Sequence, residues 1–580
     1  MFLPTTKNEI DKLGWKKLDI ILVSGDSYID SPYIGIAVIG KILLSAGYKI
    51  GVIAQPDINS DNDFKRLGEP ELFWGVSGGS VDSMVANYTA SKKKRRSDDF
   101  TPGGINNRRP DRAVIAYSNL IRRYFKNTKP IILGGIEASL RRIAHYDYWS
   151  DKLRRSILFD AKADYLVYGM GEKAVLEMIG KLKENKSIDS VRGLCYISKE
   201  KKDNYLELNS FEEVVKNKST FIEMFHKFYN NNDPISAKGL VQKHGDRYLV
   251  QNPPQYNPTT EEMDSYYDLE YERDLHPYYR IEGDVKALET IRFSINTHRG
   301  CYGECNFCAI AVHQGQTISS RSKESILKEA ESFKEHKKFN GIIRDVGGPT
   351  ANMYDFECAK KIKLGFCEDK RCVCPETCDA LKPTHKPQLD LLKELREMDG
   401  IRKVFVASGI RYDLVLDDKK FGYEYLKTVA KHHTSGQMKI APEHSEDKVL
   451  QYMGKPGKRY LTDFKEMFYK YSRQASKNQF LTYYMIAAHP GCTEKEMENL
   501  KNFASEKLSI SPEQVQIFTP TPSTYSTLMY YTEIDPFTSK YIFVEKDTNK
   551  KIKQKDILTE KRHKLSSSPR KSKERERTRR

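Results

Sequence analysis

The sequence has 580 residues, of which 39% are hydrophobic and 11% aromatic, as is typical of a folded chain with several domains and ample core. Its formal net charge is +17, but residues 561–580 contain ten Lys or Arg and only two Glu. The rest of the chain is therefore only mildly basic, and its charge does not by itself indicate a nucleic-acid-binding protein.

The N-terminal region lacks the signals of export and of membrane insertion. The first fifteen residues, MFLPTTKNEIDKLGW, carry acidic and polar side chains where a signal peptide requires an apolar run. The longest apolar stretch, 33–47, contains Lys41 and is shorter than the roughly 20 apolar residues that a membrane span needs. We therefore expect a cytoplasmic protein with no membrane association. Its ten cysteines then favour metal or redox chemistry over disulfide bonds.

Short apolar runs alternate with helical patterns over residues 1–198. This alternation predicts an α/β domain with a doubly wound parallel sheet and helices on both faces. Glycine-rich segments follow several of the runs, at the strand ends where such sheets bind ligands, but none of them has the GxGxxG pattern of a dinucleotide site. The predicted strands are 18–24, 48–54, 72–78, 130–135, 163–169 and 193–198, and the first predicted helix is 34–47.

Residues 199–285 lack a regular pattern and are expected to form an irregular connector. A second series of strand and helix patterns fills 286–535 and predicts six strand–helix units, which is typical of a partial parallel barrel whose sites lie at the carboxyl ends of the strands. Residues 536–580 are expected to be a charged, largely disordered tail. The six strands of the second series are predicted at 291–297, 341–347, 403–409, 437–443, 481–488 and 515–521.

Three cysteines, Cys301, Cys305 and Cys308, follow the first strand of the second series directly. Zinc prefers four tetrahedral ligands, so a zinc site would need a fourth residue such as His313. A [4Fe–4S] cluster held by only three cysteines leaves one iron open to an exogenous ligand. The residues alone keep both interpretations open.

The C-x-x-x-C-x-x-C spacing, with Phe307 just before the third cysteine, resembles the hallmark motif of the radical S-adenosylmethionine (radical SAM) superfamily. Its position after the first strand of a six-unit barrel is similar as well. The resemblance implies that the open iron binds S-adenosylmethionine (SAM), which the reduced cluster cleaves to start radical chemistry. It also implies an electron donor similar to flavodoxin or ferredoxin.

Further positions are assigned to SAM binding by this resemblance. Gly347, Gly348 and Pro349 end the second strand and resemble the glycine-rich motif that contacts the SAM amino group, although the usual acidic residue is absent. Ser408 and Arg411 follow the third strand, where they would contact the ribose or the carboxylate. By the same resemblance the site includes Phe307, and Glu443 at the end of the fourth strand.

Over nearly its whole length, the chain resembles the YgiQ-type radical SAM proteins. In related enzymes the N-terminal sheet domain can resemble a cobalamin-binding domain, but the segment Asp30–Gly35 has Ser31 and Pro32 where an axial histidine would be needed. We therefore do not expect cobalamin. The resemblance is carried by GDSYIDSPYIGIAVIGKIL, NYTASKKKRR, NRRPDRAVIAYSN, ILGGIEASLRRIAHYDYW, ADYLVYGMGE and YMIAAHPGCT.

A second cysteine group lies in the cysteine-rich insertion, which we define as residues 358–387. Four soft ligands within twelve residues can satisfy a second metal or an auxiliary cluster, and their spacing does not distinguish zinc from iron–sulfur. Free thiols or a redox pair are the alternative. The four candidate ligands are Cys367, Cys372, Cys374 and Cys378.

The predicted function is that of a radical SAM enzyme whose substrate the sequence does not identify. The alternatives are a zinc-stabilised RNA-associated protein and an RNA-modifying radical SAM enzyme. Both would use the basic tail and the basic loop, residues 91–99, which is otherwise a solvated charge run. The sequence does not indicate whether SAM is consumed or regenerated, nor the oligomeric state.

Overall fold

The computed structural model describes residues 1–559. Two sheets, one mixed and one parallel, organise these residues, and the carboxyl ends of their parallel strands meet across a cavity. The first, here the N-terminal sheet, has nine strands. In spatial order they are Leu206–Leu208, Leu240–His244, Arg247–Gln251, Leu194–Ser198, Tyr165–Val167, Ile131–Gly134, Phe73–Ser77, Ile20–Ser24 and Ile50–Ala54.

Five neighbouring strands of the N-terminal sheet, from Ile50–Ala54 to Tyr165–Val167, are parallel. Their side chains alternate between two buried cores, because both faces are covered by helices. In the strand Ile20–Ser24, for example, Ile21 and Val23 face one core while Ile20 and Leu22 face the other. The doubly wound parallel architecture expected for this half is confirmed.

The helices of this half connect successive strands and cover the two faces of the sheet. Gly35–Ser45 and Glu172–Lys183 pack on one face, whereas Ala113–Tyr124 and Ile157–Ala161 pack on the other. The remaining helices are Lys7–Lys12, Asn62–Lys65, Ser83–Asn87, Gly135–Ser139 and the 3-10 turn Pro102–Gly104, and two short strand pairs are Ile29–Asp30 with Asp274–Leu275 and His145–Asp147 with Lys152–Arg154.

The expectation of an irregular connector over 199–285 is wrong. This range adds three strands to the N-terminal sheet, and Leu194–Ser198 joins them antiparallel to its neighbours. Polar residues of the hairpin Leu240–His244 with Arg247–Gln251 hide its apolar pattern, yet the Gly-Asp pair at 245–246 is a hairpin turn signal. The range also contains the helices Phe211–Lys216, Lys218–Asn230 and Thr260–Tyr267 and the 3-10 segment Pro277–Glu282.

The second sheet is the partial barrel expected from the sequence. Parallel pairings and one parallel bridge, between Ile410 and Ile440, link its strands in chain order. One continuous hydrophobic core lies between these strands and the surrounding helices. The strands are Ser294–Asn296, Ile342–Ile343 with Asp345–Gly347, Lys403–Val404, Gln437–Glu443, Phe480–Ala487 and Val515–Ile517.

Helices connect the barrel strands. The longest is Arg459–Gln474, whose apolar residues face the core on one side only. The others are Leu288–Ile291, Ile310–His313, Lys323–Ser332, Ala359–Leu364, Lys386–Glu397, Tyr412–Asp417, Gly422–Thr428, Asp447–Met453, Glu494–Phe503 and Tyr525–Thr532, with the 3-10 turn Phe333–Glu335 and the π-helical turns Val429–His433 and Ala504–Leu508.

The tail expected to be disordered over 536–580 begins instead with folded chain. Helix Thr548–Thr559 docks on the barrel through Lys551, Gln554 and Leu558, which are all buried. The Gln554 side chain accepts a hydrogen bond from the Ala488 amide at 3.0 Å. The surrounding lysines mask this helical stripe in the sequence. Residues 560–580 lie outside the described residues.

Within residues 1–559, no helix is both long enough and apolar enough to cross a bilayer.

Candidate functional site

The cysteine loop, residues 299–308, begins where the first barrel strand ends. The short antiparallel pair His298–Arg299 with Ser319–Ser320 closes its base, and the Cys301 amide donates to the Gly315 carbonyl at 3.1 Å. Gly300 has a positive φ of 85°, and a Cβ there would overlap the Thr317 carbonyl, so only glycine fits. The loop is thus held in a defined conformation.

The three thiols of the cysteine loop, Cys301, Cys305 and Cys308, lie close enough for their charges to interact. Burial raises the pKa of the Cys308 thiol to about 12, and the charges of Cys305 and Cys301 add to the effect. The Gly303 amide donates to Cys301 Sγ at 3.4 Å. Three thiolates at this position therefore need positive charge to balance them, and an iron–sulfur cluster provides it.

Arg411 supplies positive charge from the protein itself. Its Nη1 lies 4.0 Å from Cys305 Sγ, while its Nε and Nη2 donate to the Asp413 carboxylate at 3.0 and 2.5 Å. The sequence predicted a contact of Arg411 with the SAM ribose or carboxylate, and the structure places its guanidinium beside the thiols. Asp413, which orients it, was missed because it was only a neighbouring residue in the sequence.

The alternative zinc ligand His313 contacts the helix Gly135–Ser139 of the N-terminal half. Its Nδ1 lies 3.1 Å from Ser139 Oγ. Burial, together with the nearby Arg142 charge, lowers the pKa of the imidazole to about 4. Within residues 1–559, no three His, Cys, Asp or Glu side chains are arranged to hold a single metal ion.

The glycine-rich segment Gly347, Gly348 and Pro349 ends a strand that pairs in parallel with the first barrel strand. A Cβ on Gly348 would lie 2.6 Å from the His298 ring, so a side chain would not fit there. Gly348 and Pro349 line the cavity between the two sheets. Their backbone is therefore open to a ligand on the cavity side.

Ser408 lies on the same cavity wall, but its polar groups are occupied. The Asp345 carboxylate accepts hydrogen bonds from the amides of Ala407 and Ser408, at 2.7 and 3.1 Å, and from the Ser408 hydroxyl. Asp345 therefore fixes this turn. Sequence reasoning missed Asp345, although its position at a strand end was a usable signal.

Glu443 ends the fourth barrel strand with a positive φ of 69°, a conformation that a non-glycine residue adopts at some cost. Its carboxyl is buried, and burial raises its pKa to about 7 against the opposing charge of Lys455. Its charge also acts on Cys308. Phe307 packs edge-on against the His489 ring at a centroid distance of 6.4 Å.

The intersheet cavity, which the carboxyl edges of both sheets line, has a volume of about 520 Å³. A pocket of this size suits a small organic ligand. The N-terminal sheet contributes Gly134, where an added Cβ would meet nothing within 4 Å. The barrel contributes His298 and Arg299, and Arg299 is paired with Glu172 across the cavity wall.

Three of the four cysteines of the second group line one cavity, and the fourth does not. Cys367, Cys372 and Cys378 surround a cavity of about 100 Å³ together with Cys358. Cys374 is not part of that lining. Its thiol donates to the Lys455 carbonyl at 3.7 Å, and its charge interacts with that of Cys305. A metal at the predicted set of four therefore stays a prediction.

Comparisons with known proteins agree on one family. A family model described as Radical SAM N-terminal matches residues 2–294, and one described as Radical SAM superfamily matches residues 295–504. A UPF0313 protein of Fusobacterium nucleatum is 60% identical over 97% of this chain and 99% of its own length. A UPF0313 protein of Thermotoga neapolitana is 48% identical over 96% of this chain and 98% of its own.

A solved structure with a similar fold is that of the radical S-adenosylmethionine methyltransferase TsrM from Kitasatospora setae, with cobalamin and a [4Fe-4S] cluster bound. It aligns with a TM-score of 0.51 at 14% identity, over 88% of this chain and 77% of that chain. At this identity the likeness concerns the fold alone.

Proposed function

The chain belongs to the UPF0313 family of radical SAM proteins, the YgiQ family, and from this premise we propose that Cys301, Cys305 and Cys308 are the three protein ligands of its [4Fe–4S] cluster. The protein is a radical SAM enzyme whose substrate is unidentified. A cluster held by these three residues would supply the electron for reductive cleavage of SAM, which would start radical chemistry on a second substrate.

One observation carries the assignment of the three ligands. Three half-buried thiols from a single loop lie close enough for their charges to interact, and the protein gives them partners suited to an anionic sulfur cluster. The Gly303 amide donates to Cys301, and Arg411 lies beside Cys305. Hydrogen bonds and positive charge at the sulfurs raise the reduction potential of such a cluster. Asp413 holds the Arg411 guanidinium in place.

The SAM-binding residues are proposed from their places on the cavity wall. Gly348 has no side chain to block approach to the backbone, and the Asp345–Ser408 turn lies next to it. The backbone carbonyls of Gly348 and Pro349, which line the cavity, can accept hydrogen bonds from the SAM amino group, whereas the Gly347 carbonyl already accepts one from the Thr297 amide. Glu443, at the end of the fourth barrel strand, is proposed to face the cofactor because its charge acts on Cys308.

The N-terminal sheet is proposed to cover the cavity and to exclude water from the radical. Its apolar and glycine-rich edge leaves room for a substrate beside the SAM-binding residues. Cobalamin is named for TsrM, but residues 30–35 of this chain do not fit it as an axial-ligand segment. Asp30 is buried in an ion pair with Lys41 at 3.0 Å, and Ser31 and Pro32 carry no imidazole.

Anaerobic reconstitution with iron and sulfide, followed by an assay for 5′-deoxyadenosine under reducing conditions, tests the proposal. Cys301→Ser, Cys305→Ser and Cys308→Ser should each remove the cluster absorbance and lower SAM cleavage by about 100-fold or more. Cys195→Ala, a buried thiol in the N-terminal sheet, is the matched control and should retain both. A colourless wild-type protein that binds only zinc would contradict the proposal.

A further inference from the structure

An exposed apolar patch with a basic border lies on the cysteine-rich insertion and the neighbouring segment 233–238. Ile235, Ile362 and Leu364 are 51%, 57% and 59% exposed. The two segments lie against each other, because the Phe366 amide donates to the Asp233 carboxylate. We call Ile235, Ile362, Leu364 and the exposed lysines Lys238, Lys360 and Lys363 the docking face.

The charge of the docking face has one sign. Segments 235–238 and 359–364 contain no acidic residue, and the first exposed carboxylates on the insertion, Glu368 and Asp369, come after it. Within residues 1–559, none of the three exposed lysines forms an ion pair. An apolar centre with a charged rim is the composition of a protein interaction site, and here the rim fits an acidic partner.

The docking face and the cysteine loop border the same small cavity. Lys360 of the docking face and Glu304 of the cysteine loop both line this cavity of about 100 Å³. Arg371, from the same insertion, donates to the Glu304 carbonyl at 3.0 Å and to Asn306 Oδ1 at 2.7 Å. A protein bound to this face would therefore lie over the cysteine loop itself.

We propose that the docking face binds the acidic electron-carrying protein, a small flavin or iron–sulfur protein, that reduces the cluster. This rests on the proposed function, because only a cluster at the cysteine loop needs an electron delivered there. The carrier gives up one electron and the cluster takes it, with no bond made or broken. Opposite charge speeds the encounter, and the apolar centre holds the bound carrier in place.

The test compares two reductants in the reconstituted full-length protein. With chemically reduced flavodoxin, Lys238→Glu/Lys363→Glu should cleave SAM roughly tenfold more slowly than wild type at low salt, and raised salt should narrow the difference. Ile362→Asp/Leu364→Asp should show a similar loss. With dithionite, a small reductant that needs no docking face, both variants should match wild type.

The control Lys126→Glu/Lys199→Glu reverses two exposed lysines of the N-terminal half and should match wild type with either reductant. Equal flavodoxin-driven rates in wild type and docking-face variants overturn the inference. So does an equal loss with both reductants, because the variants would then damage the cluster itself. A wild type that fails with dithionite contradicts the proposed function instead, and the inference falls with it.

Discussion

The carboxyl edges of the two sheets face the same cavity, but they carry different chemistry. The edge of the N-terminal sheet holds buried charges that pair among themselves. Arg109 bonds Asp26 and Asp98 at 2.8 and 2.9 Å, and Arg141 pairs with Asp82. The barrel edge holds three thiols whose charges repel and are only partly balanced by Arg411.

The comparison shows that the same strand-end position can stabilise the fold or bind a ligand. Which of the two it does depends on whether the charged side chains there form ion pairs with one another. The charges at the N-terminal edge form internal ion pairs that stabilise the fold and shape the cavity, although within residues 1–559 Arg109 Nε and Nη1 have no hydrogen-bond partner. Thiols without a complete set of partners need an added group. Under the proposed function, the chemistry therefore lies in the barrel loops rather than in the parallel strands that both halves share.

The largest expected effect comes from breaking the internally paired edge. Arg141→Met leaves Asp82 and Glu137 buried without their cation and should lower the free energy of unfolding by about 3–5 kcal/mol. Chemical denaturation measures the loss. Iron bound per chain after reconstitution in the cold should not change, because the cysteine loop is untouched.

Arg154→Met is the matched control for this change. Its pair with Asp160, at 2.7 Å, is partly exposed and should contribute less than about 1 kcal/mol. If Arg141→Met were as stable as Arg154→Met, the N-terminal edge would not be held by its ion pairs and the comparison would fail.

The second prediction concerns the barrel edge. Arg411→Gln removes the positive charge beside Cys305, so the reduction potential of the cluster should become more negative, and SAM cleavage at a fixed reductant potential should fall by about 10–100-fold. Redox titration and the 5′-deoxyadenosine assay measure the two effects. The control Arg402→Gln replaces an exposed arginine and should change neither the potential nor the rate of SAM cleavage. An unchanged reduction potential in Arg411→Gln would show that Arg411 does not act on the cluster.

The third prediction follows from the raised pKa of Glu443. Because the folded carboxyl has a pKa of about 7 rather than its usual 4.5, the folded protein holds a proton that the unfolded chain releases between these values. Wild type should therefore lose stability relative to Glu443→Gln as pH rises from about 4.5 to about 7, by at most about 1.4 kcal/mol per pH unit. Above pH 7 the difference should be constant. A flat difference across this window, measured by denaturation at several pH values, would mean that Glu443 is ionised throughout.

The smallest effect is expected at the basic loop. Lys93 and Lys94 are exposed, and if RNA is bound there, Lys93→Glu/Lys94→Glu should weaken binding of single-stranded RNA uniformly and reduce its salt dependence by about one unit per lysine. Filter binding over a salt series measures this. SAM cleavage without RNA should not change. Equal RNA affinity of wild type and variant would show that the basic loop does not bind RNA.

Sequence patterns predicted both parallel sheets because buried parallel strands are continuous apolar runs that need no distant information. The sequence patterns did not predict elements in which polar side chains are buried. The hairpin Leu240–His244 with Arg247–Gln251 has Gln and His among its buried residues, and helix Thr548–Thr559 buries a lysine and a glutamine. In both elements, tertiary packing decides the structure.

Some residues of the candidate site were predicted from the sequence and others were not. The cysteine loop could be predicted because its residues are close in sequence. Asp345 and Arg371 act on partners 63 and 67 positions away, which only folding brings together, although the strand-end position of Asp345 was a signal. Asp413 lies only two positions from Arg411, and its role was overlooked rather than hidden. The grouping of Cys358 with three of the four insertion cysteines, and the separation of Cys374, likewise required the folded loop.

The most direct test of the central claim is Mössbauer spectroscopy of protein reconstituted with iron-57, with and without SAM, in wild type and in Cys374→Ala. Cys374 is the thiol outside the cysteine loop whose charge reaches Cys305. The account predicts that SAM shifts the signal of one iron of the cluster in both proteins. Spectra that SAM leaves unchanged in wild type, but alters once Cys374 is removed, would show that a fourth cysteine closes the cluster and would contradict it.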